Sequence, residues 1–450
     1  MDRFKKHILI SAVFVFITGY SYSQFTLGAE LRPRSEYRHG YKTLADTSQD
    51  PNAFIDQRSR LNFGYDTPKF KLFVQFQDVR TWGSTSQLAY TTGSTTLHQA
   101  WGEFAIGKQW ALRAGRQEWV YDNHRILGNV EWAQQARSHD GAVLKYAGKN
   151  DLSLHIGGAF NQDAPGSVGT VYTTSKSYKS ILFLWAKKKF SEQFSASLLF
   201  LNNGAQPFTT DSVGKIDYVD RYSQTIGTHM EYKKKKVSAT GWFYYQMGED
   251  GVLGHVDLQA TNASLEVALQ ASNKFKVVLG AEYLSGQSQT DTSASYKESQ
   301  RAFFPLYGTN HKFNGFMDYF YVGNHAKSVG LIDPYLKLIY KKEKTTVGLA
   351  VHFFQSAADV RDDKEFLETG NITAMSSSLG TELDLFFGTK LSKDVVLKAG
   401  YSQLFATETM EALKVTVDTP GNRNATQNWG YVMLIFKPTL LKTEEKPKVE

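Results

Sequence analysis

The sequence predicts an all-β protein, a single transmembrane antiparallel β-barrel of about 18 strands with no plug domain. Three observations predict this fold. Short segments of alternating polarity recur along the chain, Tyr, Phe and Trp make up 14% of its residues, and the first segment follows directly on a predicted signal peptide. Barrels that cross a membrane alternate lipid-facing with lumen-facing residues and carry aromatic side chains at both interfaces, so each observation is expected of one.

Eighteen segments have the length and composition of strands, and an even strand number is usual in bacterial barrels. They are Phe25–Arg38, Phe54–Asp66, Phe70–Arg80, His98–Ile106, Trp110–Trp119, Ser138–Tyr146, Leu152–Phe160, Tyr178–Phe190, Phe194–Leu201, Tyr222–Tyr232, Val237–Met247, Val256–Ala271, Phe275–Leu284, Val329–Tyr340, Thr345–Phe354, Leu379–Leu391, Asp394–Leu404 and Gln427–Lys437.

Alternation is clearest in the second segment. Its even positions run Asp56, Arg58, Arg60, while its odd positions end in Leu61 and Phe63. Charge on one face and large apolar groups on the other fit a wet lumen and a lipid surface. A soluble sandwich has the same period, so the strand number, the signal peptide and the aromatic content decide in favour of the membrane barrel.

Residues 1–23 are predicted to be a cleaved signal peptide that directs the chain through the periplasm to the bacterial outer membrane. Arg3, Lys5 and Lys6 precede the apolar run Ile8–Ile17, and Ser21-Tyr22-Ser23 offers small residues to the peptidase. An uncleaved anchor is the alternative, but the run is too short to span a bilayer as a helix. Residues 24–437 are assigned to the barrel, and the polar tail 438–450 is expected to be disordered.

Connectors of two lengths largely alternate between the segments, as periplasmic turns and extracellular loops should. The longest, Ser285–Lys312, has the length to fold inward and narrow a pore. The run Lys233–Lys236 fits a solvated turn better than a binding patch. Only one or two residues separate the predicted cleavage site from the first strand, which leaves no room for a plug and argues against an energy-coupled transporter.

Composition excludes several kinds of site. The chain has no Cys, so a disulfide scaffold, a thiolate metal site and a Cys nucleophile are all excluded. A net charge of +7 is too small to argue for nucleic acid. The 11 His form no His-Glu-x-x-His motif, no Gly-x-Ser-x-Gly is present, and no glycine-rich loop follows a strand. We therefore predict no metal, no cofactor and no catalytic residues.

The stretch from Gly115 to Tyr146 is unusually dense in charge and joins two strands by a connector that is not a simple loop. Charged groups in a lumen must pair or be hydrated, because unpaired buried charges are costly. Two interpretations follow. The charges form salt bridges that brace the barrel wall, or they form a constriction of alternating sign that selects a charged solute.

This stretch resembles the signature of the alginate-export family of outer-membrane porins. It contains Gly115-Arg116-Gln117-Glu118, then Arg125-x-x-Gly128-x-x-x-Trp132, then Arg137-Ser138-x-Asp140-Gly141. The similarity extends over essentially the whole mature chain. Further matching elements are Asp56–Leu61, Gln75–Arg80, Leu306–His311, Phe313–Tyr319, Leu379–Leu385 and Gly400–Ser402.

The resemblance implies an 18-stranded barrel with a narrow, arginine-rich lumen that passes an anionic polysaccharide outward. Guanidinium groups suit this task because they bind carboxylates bidentately and stay charged. The residues expected to line and select in the pore are Arg58, Arg60, Arg116, Arg125 and Arg137, with Asp78, Glu118 and Asp140 as acidic partners. For any one arginine the alternative is a wall-bracing salt bridge.

The expected function is therefore a diffusion channel for an anionic oligo- or polysaccharide, and a porin for uptake of small anionic solutes is the alternative. A barrel hydrolase or a surface adhesin represents a different class. The expected partners are outer-membrane lipid, the barrel assembly machinery, the saccharide itself and periplasmic export components. The sequence departs from the family in one respect, since Lys437-Pro438 and a charged tail follow the last strand instead of ending the chain.

Overall fold

Extended strands dominate the computed structural model, which describes residues 23–443 apart from 89–94, 175–176, 211, 215, 252–255, 310, 322–324 and 417. The barrel strands are β1 Gln24–His39, β2 Asn52–Asp66, β3 Phe70–Thr81, β4 Thr95–Ile106, β5 Trp110–Gln117, β6 His139–Ala147, β7 Ser153–Phe160, β8 Ser180–Lys189, β9 Phe194–Ala205, β10 Arg221–Lys234, β11 Val237–Glu249, β12 Asp257–Gln270, β13 Phe275–Leu284, β14 Leu331–Lys342, β15 Thr345–Gln355, β16 Ser378–Lys390, β17 Val395–Ala406 and β18 Gln427–Phe436.

Each strand pairs antiparallel with the next, and β18 pairs with β1 to close the barrel. The register of β1 and β2 runs from Gln24 opposite Asp66 to Arg38 opposite Asn52. At the seam, His39 lies opposite Asn428. All 18 predicted segments correspond to barrel strands, so the predicted fold and strand count are confirmed. Closure leaves no unpaired edge, which a strand in lipid could not tolerate.

Connector length separates the two ends of the barrel. Eight short turns lie at one end, which also holds residue 24 of β1 and residue 436 of β18; they span 67–69, 107–109, 148–152, 190–193, 235–236, 271–274, 343–344 and 391–394. Nine longer connectors lie at the other end, at 40–51, 82–94, 118–138, 161–179, 206–220, 250–256, 285–330, 356–377 and 407–426. In bacterial barrels the short turns face the periplasm. We call the two ends the short-turn end and the long-loop end.

The outward face of the barrel is apolar. In β2, Leu61 is 46% exposed, whereas Arg58 on the opposite face is fully buried. Exposed aromatic side chains mark both ends of this outward band, as expected where the chain crosses the lipid–water interface. Phe70, Trp110, Phe190, Tyr232 and Tyr340 lie towards the short-turn end, and Tyr37, Tyr222, Tyr283, Phe353 and Phe405 towards the long-loop end.

Two long connectors fold into the lumen and pair with each other there. Leu127 of connector 118–138 forms a parallel bridge with Tyr307 of connector 285–330. The amide of Gly128 donates to the carbonyl of Tyr307 (3.0 Å), and the amide of Thr309 donates to the carbonyl of His124 (2.8 Å). A buried apolar cluster surrounds this bridge, including Trp119, Ile126, Met317, Tyr319 and Trp429. The longest loop therefore folds inward, as its length allows.

The remaining elements are short. Helices α1 Ala294–Lys297, α2 Asp363–Thr369 and α3 Glu408–Lys414 lie in the long connectors, as do a hairpin of Phe208–Thr210 with Ile216–Tyr218 and the bridge strand Ser299–Gln300. Within the described chain, helices of the length and hydropathy needed to cross a bilayer are not found.

The tail differs from the expectation of disorder in its first residues. Thr439–Lys442 form a strand against Thr26–Gly28 of β1, and the amide of Thr443 donates to the carbonyl of Phe25 (3.0 Å). Because β1 is longer than β18, its first residues would otherwise present an open edge, and the tail pairs with them. Residues 444–450 of the predicted tail lie outside the described residues.

Candidate functional site

The inward face of β1 is a row of charges. Glu30, Arg32, Arg34 and Glu36 occupy alternate positions and all are buried. A strand places every second side chain on one face, so this row runs along the lumen wall. Arg34 pairs with Glu36 (Nε to Oε1, 2.7 Å), and the outer neighbour Arg38 pairs with the same carboxylate (2.8 Å).

Glu131 of the inward connector 118–138 reaches this row and lies among three wall arginines. Arg32 approaches its carboxylate from β1 (Nη1 to Oε1, 3.5 Å). Arg58 of β2 contacts both carboxylate oxygens, with Nη1 at 3.3 Å from Oε2. Arg60 lies 3.7 Å from the same oxygen. We call Arg32, Arg58 and Arg60 together with Glu131 the arginine clamp.

Further contacts hold the clamp in place. Arg32 donates to the Gln134 side chain from Nε (2.9 Å) and Nη2 (2.7 Å). Arg58 donates from Nε to Glu30 (2.8 Å), and Arg60 donates from Nε to Gln77 (2.8 Å). Three guanidinium groups thus face two carboxylates, those of Glu30 and Glu131, so the clamp and Glu30 together carry a net charge of +1.

The clamp lies between two cavities in the lumen. The outer cavity, of about 430 Å³, is lined by Arg34 of β1 and Asp56 of β2. The inner cavity, of about 650 Å³, is lined by Glu30 and Arg60 of the same strands. Arg32 and Arg58 come between these residues along β1 and β2 and line neither cavity. Arg32 and Arg58 therefore lie at a level between the two cavities.

The outer cavity combines positive charge with aromatic rings. Arg34, Arg38, Lys42 and Arg80 line it beside Asp56 and Asp318, and Tyr41, Trp132, His311 and Tyr321 supply rings. The guanidinium of Arg34 lies over the Trp132 ring, 4.2 Å from its centroid, and that ring stacks on His311 at 4.0 Å. Aromatic faces with guanidinium groups beside them suit a solute that has a carboxylate and an apolar ring face.

Amide side chains and charged groups of both signs line the inner cavity. Asn62, Gln75, Gln99 and Asn129 contribute side chains, and Glu131 closes its outer end with 42% of its side chain exposed. Arg60 also lines this cavity, and its Nη2 atom has no hydrogen-bond partner among the described residues. Amides can donate to and accept from hydroxyl groups, so the lining suits a polyhydroxylated solute.

The carboxylate of Glu131 is held ionised by its surroundings. Burial acts to raise its pKa, but hydrogen bonding to Arg58 and the charges of Arg58, Arg32 and Arg60 outweigh it, so the pKa lies below its usual range. A carboxylate whose pKa is lower in the folded than in the unfolded protein stabilises the fold at pH values above its ordinary pKa. This stabilisation is lost as the pH falls through the lowered pKa. The clamp is therefore intact at neutral and mildly acidic pH.

Arg125 and Arg137 brace the inward connectors. The Arg125 guanidinium pairs with Glu282 of β13 (2.8 Å), and both side chains are buried. It also donates a hydrogen bond to the Asn314 side chain (3.1 Å). Arg137 donates to the Gly308 carbonyl (3.1 Å). These contacts tie connector 118–138 to the opposite wall and to connector 285–330. The bracing interpretation fits these two arginines.

Arg116 and Asp140 lie on the outward face, which contradicts their predicted place in the pore. They pair with each other (2.6 Å) with side chains 41% and 62% exposed. Arg116 shares its strand face with the exposed Trp110 and Leu112, and it is the neighbour Gln117 that is buried. The family motif identified the stretch, but strand alternation turns Arg116 away from the lumen.

Asp78 and Glu118 also have other partners than the predicted arginines. Asp78 pairs with Arg80 on β3 (2.7 Å). In the sheet, Asp78 lies opposite Ser59 of β2, and Ser59 is on the other face of that strand from Arg58. Glu118 lies in the lumen and lines the inner cavity. It accepts hydrogen bonds from His98 (2.9 Å) and Asn129 (2.8 Å).

We expect Arg116→Gln to leave ion selectivity unchanged. The pair is exposed on the outer surface, and exposed ion pairs contribute about 0–1 kcal/mol to stability. Reversal potentials in planar bilayers should match those of the wild type within error. A shift comparable to that of a clamp variant would show that Arg116 acts on the permeation path after all.

We expect Gly308→Val to separate the two inward connectors. A Cβ atom at Gly308 would lie 2.0 Å from the Arg125 carbonyl oxygen, a backbone atom that cannot rotate away. Such overpacking costs about 1–3 kcal/mol. Single-channel conductance should rise and become noisier while the barrel keeps its heat-resistant electrophoretic mobility. Unchanged conductance in folded protein would mean that the paired connectors do not limit the current. Gly166→Val is a matched control, because its Cβ position has no contact closer than 3.5 Å.

Sequence reasoning missed Glu30, Arg32, Arg34 and Gln134, and it noted Glu131 only as one charge of its stretch. The signal for β1 was present, since Glu30, Arg32, Arg34, Glu36 and Arg38 stand at every second position of a predicted strand. No local signal identifies Glu131 as the residue that meets β1, because about 100 residues separate them and only the fold of the connector joins them.

Among the described residues, no group of three or more His, Asp or Glu side chains could hold a metal ion.

Comparisons with known proteins agree with the barrel fold. The family model described as "Alginate export" matches residues 23–164, which include β1, β2 and the connector of the clamp. A search of curated proteins finds no match. Among solved structures, OccAB4 of Acinetobacter baumannii is similar at TM-score 0.58 and 11% identity, over 92% of this chain and 98% of that one. OpdK of Pseudomonas aeruginosa, also solved with vanillate, is similar at TM-score 0.56 and 10% identity over the same shares. At these identities the likeness shows the outer-membrane porin fold.

Proposed function

We propose that this protein is an outer-membrane diffusion channel for anionic solutes, and that its physiological solute is an acidic oligo- or polysaccharide of the uronate type. The observation that carries the proposal is the arginine clamp between the two lumen cavities, with a carboxylate of the chain itself seated in it. A site that binds Glu131 in this way has the chemistry to bind a carboxylate of a solute.

The proposed path is a sequence of weak sites. A solute carboxylate meets Arg34 and Arg38 in the outer cavity, the clamp at the centre, and Arg60 with the amide groups in the inner cavity. Conduction needs several sites of moderate affinity, because one tight site would retain the solute. The acids Glu30, Glu36 and Asp56 moderate the arginines, and the match to the alginate-export family model over residues 23–164 supports the uronate.

Glu131 takes the position of a solute carboxylate while the path is empty. For a uronate to pass, its carboxylate must replace Glu131 among the guanidinium groups, with connector 118–138 moving aside. The exchange replaces one charge-assisted set of hydrogen bonds by another, so its free-energy cost is small compared with leaving three arginines unpaired. The clamp then serves both as a barrier to uncharged solutes and as the selective site.

A second candidate is uptake of small aromatic or aliphatic carboxylates. The cavity volumes, about 430 and 650 Å³, lie in the range of small-molecule sites. The Trp132–His311 stack of the outer cavity would contact an aromatic ring, and a structural neighbour has been crystallised with vanillate. The direction of transport differs between the two candidates, while the clamp would act in the same way in both. Neither candidate involves catalysis.

Single-channel recordings test the proposal. The wild type in planar bilayers should prefer chloride over potassium, and uronate oligomers should interrupt its current in a concentration-dependent manner, whereas neutral oligomers of equal length should not. Interruption by vanillate but not by uronates would favour the second candidate. An unselective current that neither anion interrupts would contradict both.

A further inference from the structure

The residues at the short-turn end of the barrel carry a large excess of positive charge. We define the lysine collar as the lysines in the eight short turns and in the three strand residues on each side of every turn. This region holds nineteen lysines, five carboxylates and no arginine, a net charge of +14. The most basic parts are Lys187–Lys189, Lys233–Lys236 and Lys341–Lys344.

The opposite end has the opposite sign. The nine long connectors, counted with the same three flanking residues on each side, hold eighteen basic and twenty-six acidic residues, a net charge of −8. The charge asymmetry therefore follows the barrel axis. A chain-wide net charge of +7 conceals it, because the two ends largely cancel.

The collar lysines are available for a partner. Only four of the nineteen, Lys71, Lys145, Lys187 and Lys189, make ion pairs with described residues. All four lysines of the run Lys233–Lys236 are exposed. This run follows Tyr232, one of the aromatic residues that mark the lipid interface, so it lies beyond that interface on the aqueous side. Taken alone the run fits a solvated turn, but each of the eight short turns at this end, with its flanking strand residues, carries at least one collar lysine.

Lysines continue from the rim into the lumen, where the acids Glu30, Asp66, Glu118 and Glu131 line the inner cavity beside them. Lys71 and Lys437 line the inner cavity, and Lys437 pairs with Glu30 (2.9 Å), which also contacts Arg58 of the clamp. Basic groups thus extend from the turns to the clamp. Lipid headgroups cannot reach lumen-facing lysines, so a lipid partner would account for only the outer part of this surface.

We infer that the lysine collar is a docking surface for an anionic polymer that enters the barrel from the short-turn end. The inference rests on the proposed function and adds the place of first contact. A polymer with a carboxylate on every sugar can contact many lysines at once, and a ring of like charge raises its local concentration and its rate of association. Lysine suits this role because its flexible, strongly hydrated point charge holds no fixed bidentate geometry. The polymer can therefore slide towards the arginines.

Binding of a polyuronate to the full-length protein tests the inference. The protein is placed in nanodiscs of zwitterionic lipid, and the anisotropy of a fluorescent polyuronate of about twenty sugars is followed at several salt concentrations. We expect binding that weakens steeply with salt, as counterion release requires. K233Q/K234Q should weaken it by roughly threefold, and a variant with six glutamines at Lys188, Lys189 and Lys233–Lys236 by at least about tenfold, with a shallower salt dependence. The matched control K297Q/K364Q removes two exposed lysines from the long-loop end and should bind as the wild type does.

Three outcomes decide the matter once heat-resistant electrophoretic mobility shows that each variant is folded. Equal affinity of the wild type and the six-lysine variant overturns the inference. Native mass spectrometry measures the anionic phospholipid that co-purifies with each protein. If the six-lysine variant loses this phospholipid but binds the polymer as the wild type does, the inference is overturned and the collar is a lipid-binding surface. Failure of the proposed function gives a different result, because the chloride selectivity of the channel depends on the clamp and not on the collar. A wild type that binds polymer through the collar but shows no anion preference contradicts the channel proposal alone.

Discussion

Glu131→Gln raises the conductance of the channel and strengthens its preference for anions. The substitution keeps the size of the side chain and removes one of the two carboxylates that face three guanidinium groups, so the net charge of the clamp together with Glu30 rises from +1 to +2. One unit charge close to the path of a partly screened ion is worth about 0.7–1.4 kcal/mol, roughly a three- to tenfold change in the ratio of chloride to potassium permeability. A neutral amide is also held less tightly by guanidinium groups, so connector 118–138 moves aside more readily.

Planar-bilayer recordings with a salt gradient measure both effects. Asp140→Asn is the matched control, since it removes a carboxylate of the same sequence stretch that is 62% exposed on the outward face. It should leave the reversal potential unchanged. Equal reversal potentials of Glu131→Gln and the wild type would show that the Glu131 carboxylate does not face the permeating ions.

Acidification should reproduce the Glu131→Gln phenotype in the wild type. Because the pKa of Glu131 lies below its usual range of about 4.5, selectivity should be constant between pH 7 and pH 5 and should rise only at lower pH, as the carboxylate is protonated. The Glu131→Gln channel should show a smaller change over that low range. A transition centred above pH 5 would mean that the arginines do not hold Glu131 ionised.

Arg58→Gln has the opposite effect and abolishes most of the anion preference. It lowers the net charge of the clamp together with Glu30 from +1 to 0 and frees Glu131 and Glu30 from their shared partner. The expected change in the permeability ratio is again roughly three- to tenfold, towards cations. Arg58 is fully buried, so folding must be verified for this variant. Arg58→Lys supplies a second test because it retains the charge, and it should keep most of the selectivity while losing the two-point contact with Glu30.

Arg125→Ala separates a structural role from a selective one. Arg125 pairs with a buried carboxylate and lines neither lumen cavity. Its loss leaves Glu282 without that partner and destabilises the barrel interior by about 3–5 kcal/mol. Denaturation midpoints should fall, whereas the selectivity of the folded fraction should stay close to that of the wild type.

The sequence predicts the barrel well and the site only in part, for physical reasons. All 18 strands follow from the length and composition of each segment, and several segments also alternate clearly in polarity. Arg58 and Arg60 were correctly predicted to lie on the inward face by this alternation. Arg116 was placed wrongly because a motif position was given more weight than strand alternation, which groups it with Trp110 and Leu112. Glu131 was beyond reach, since its meeting with Arg32 and Arg58 depends on how a 21-residue connector folds inside a closed barrel.

The reversal potential of single channels under a tenfold potassium chloride gradient tests the central claim most directly. We predict that anion preference decreases in the order Glu131→Gln, wild type, Arg58→Gln, with Arg116→Gln equal to the wild type. Identical reversal potentials for all four proteins would contradict the account, because the arginine clamp would then brace the wall without selecting the ions that pass.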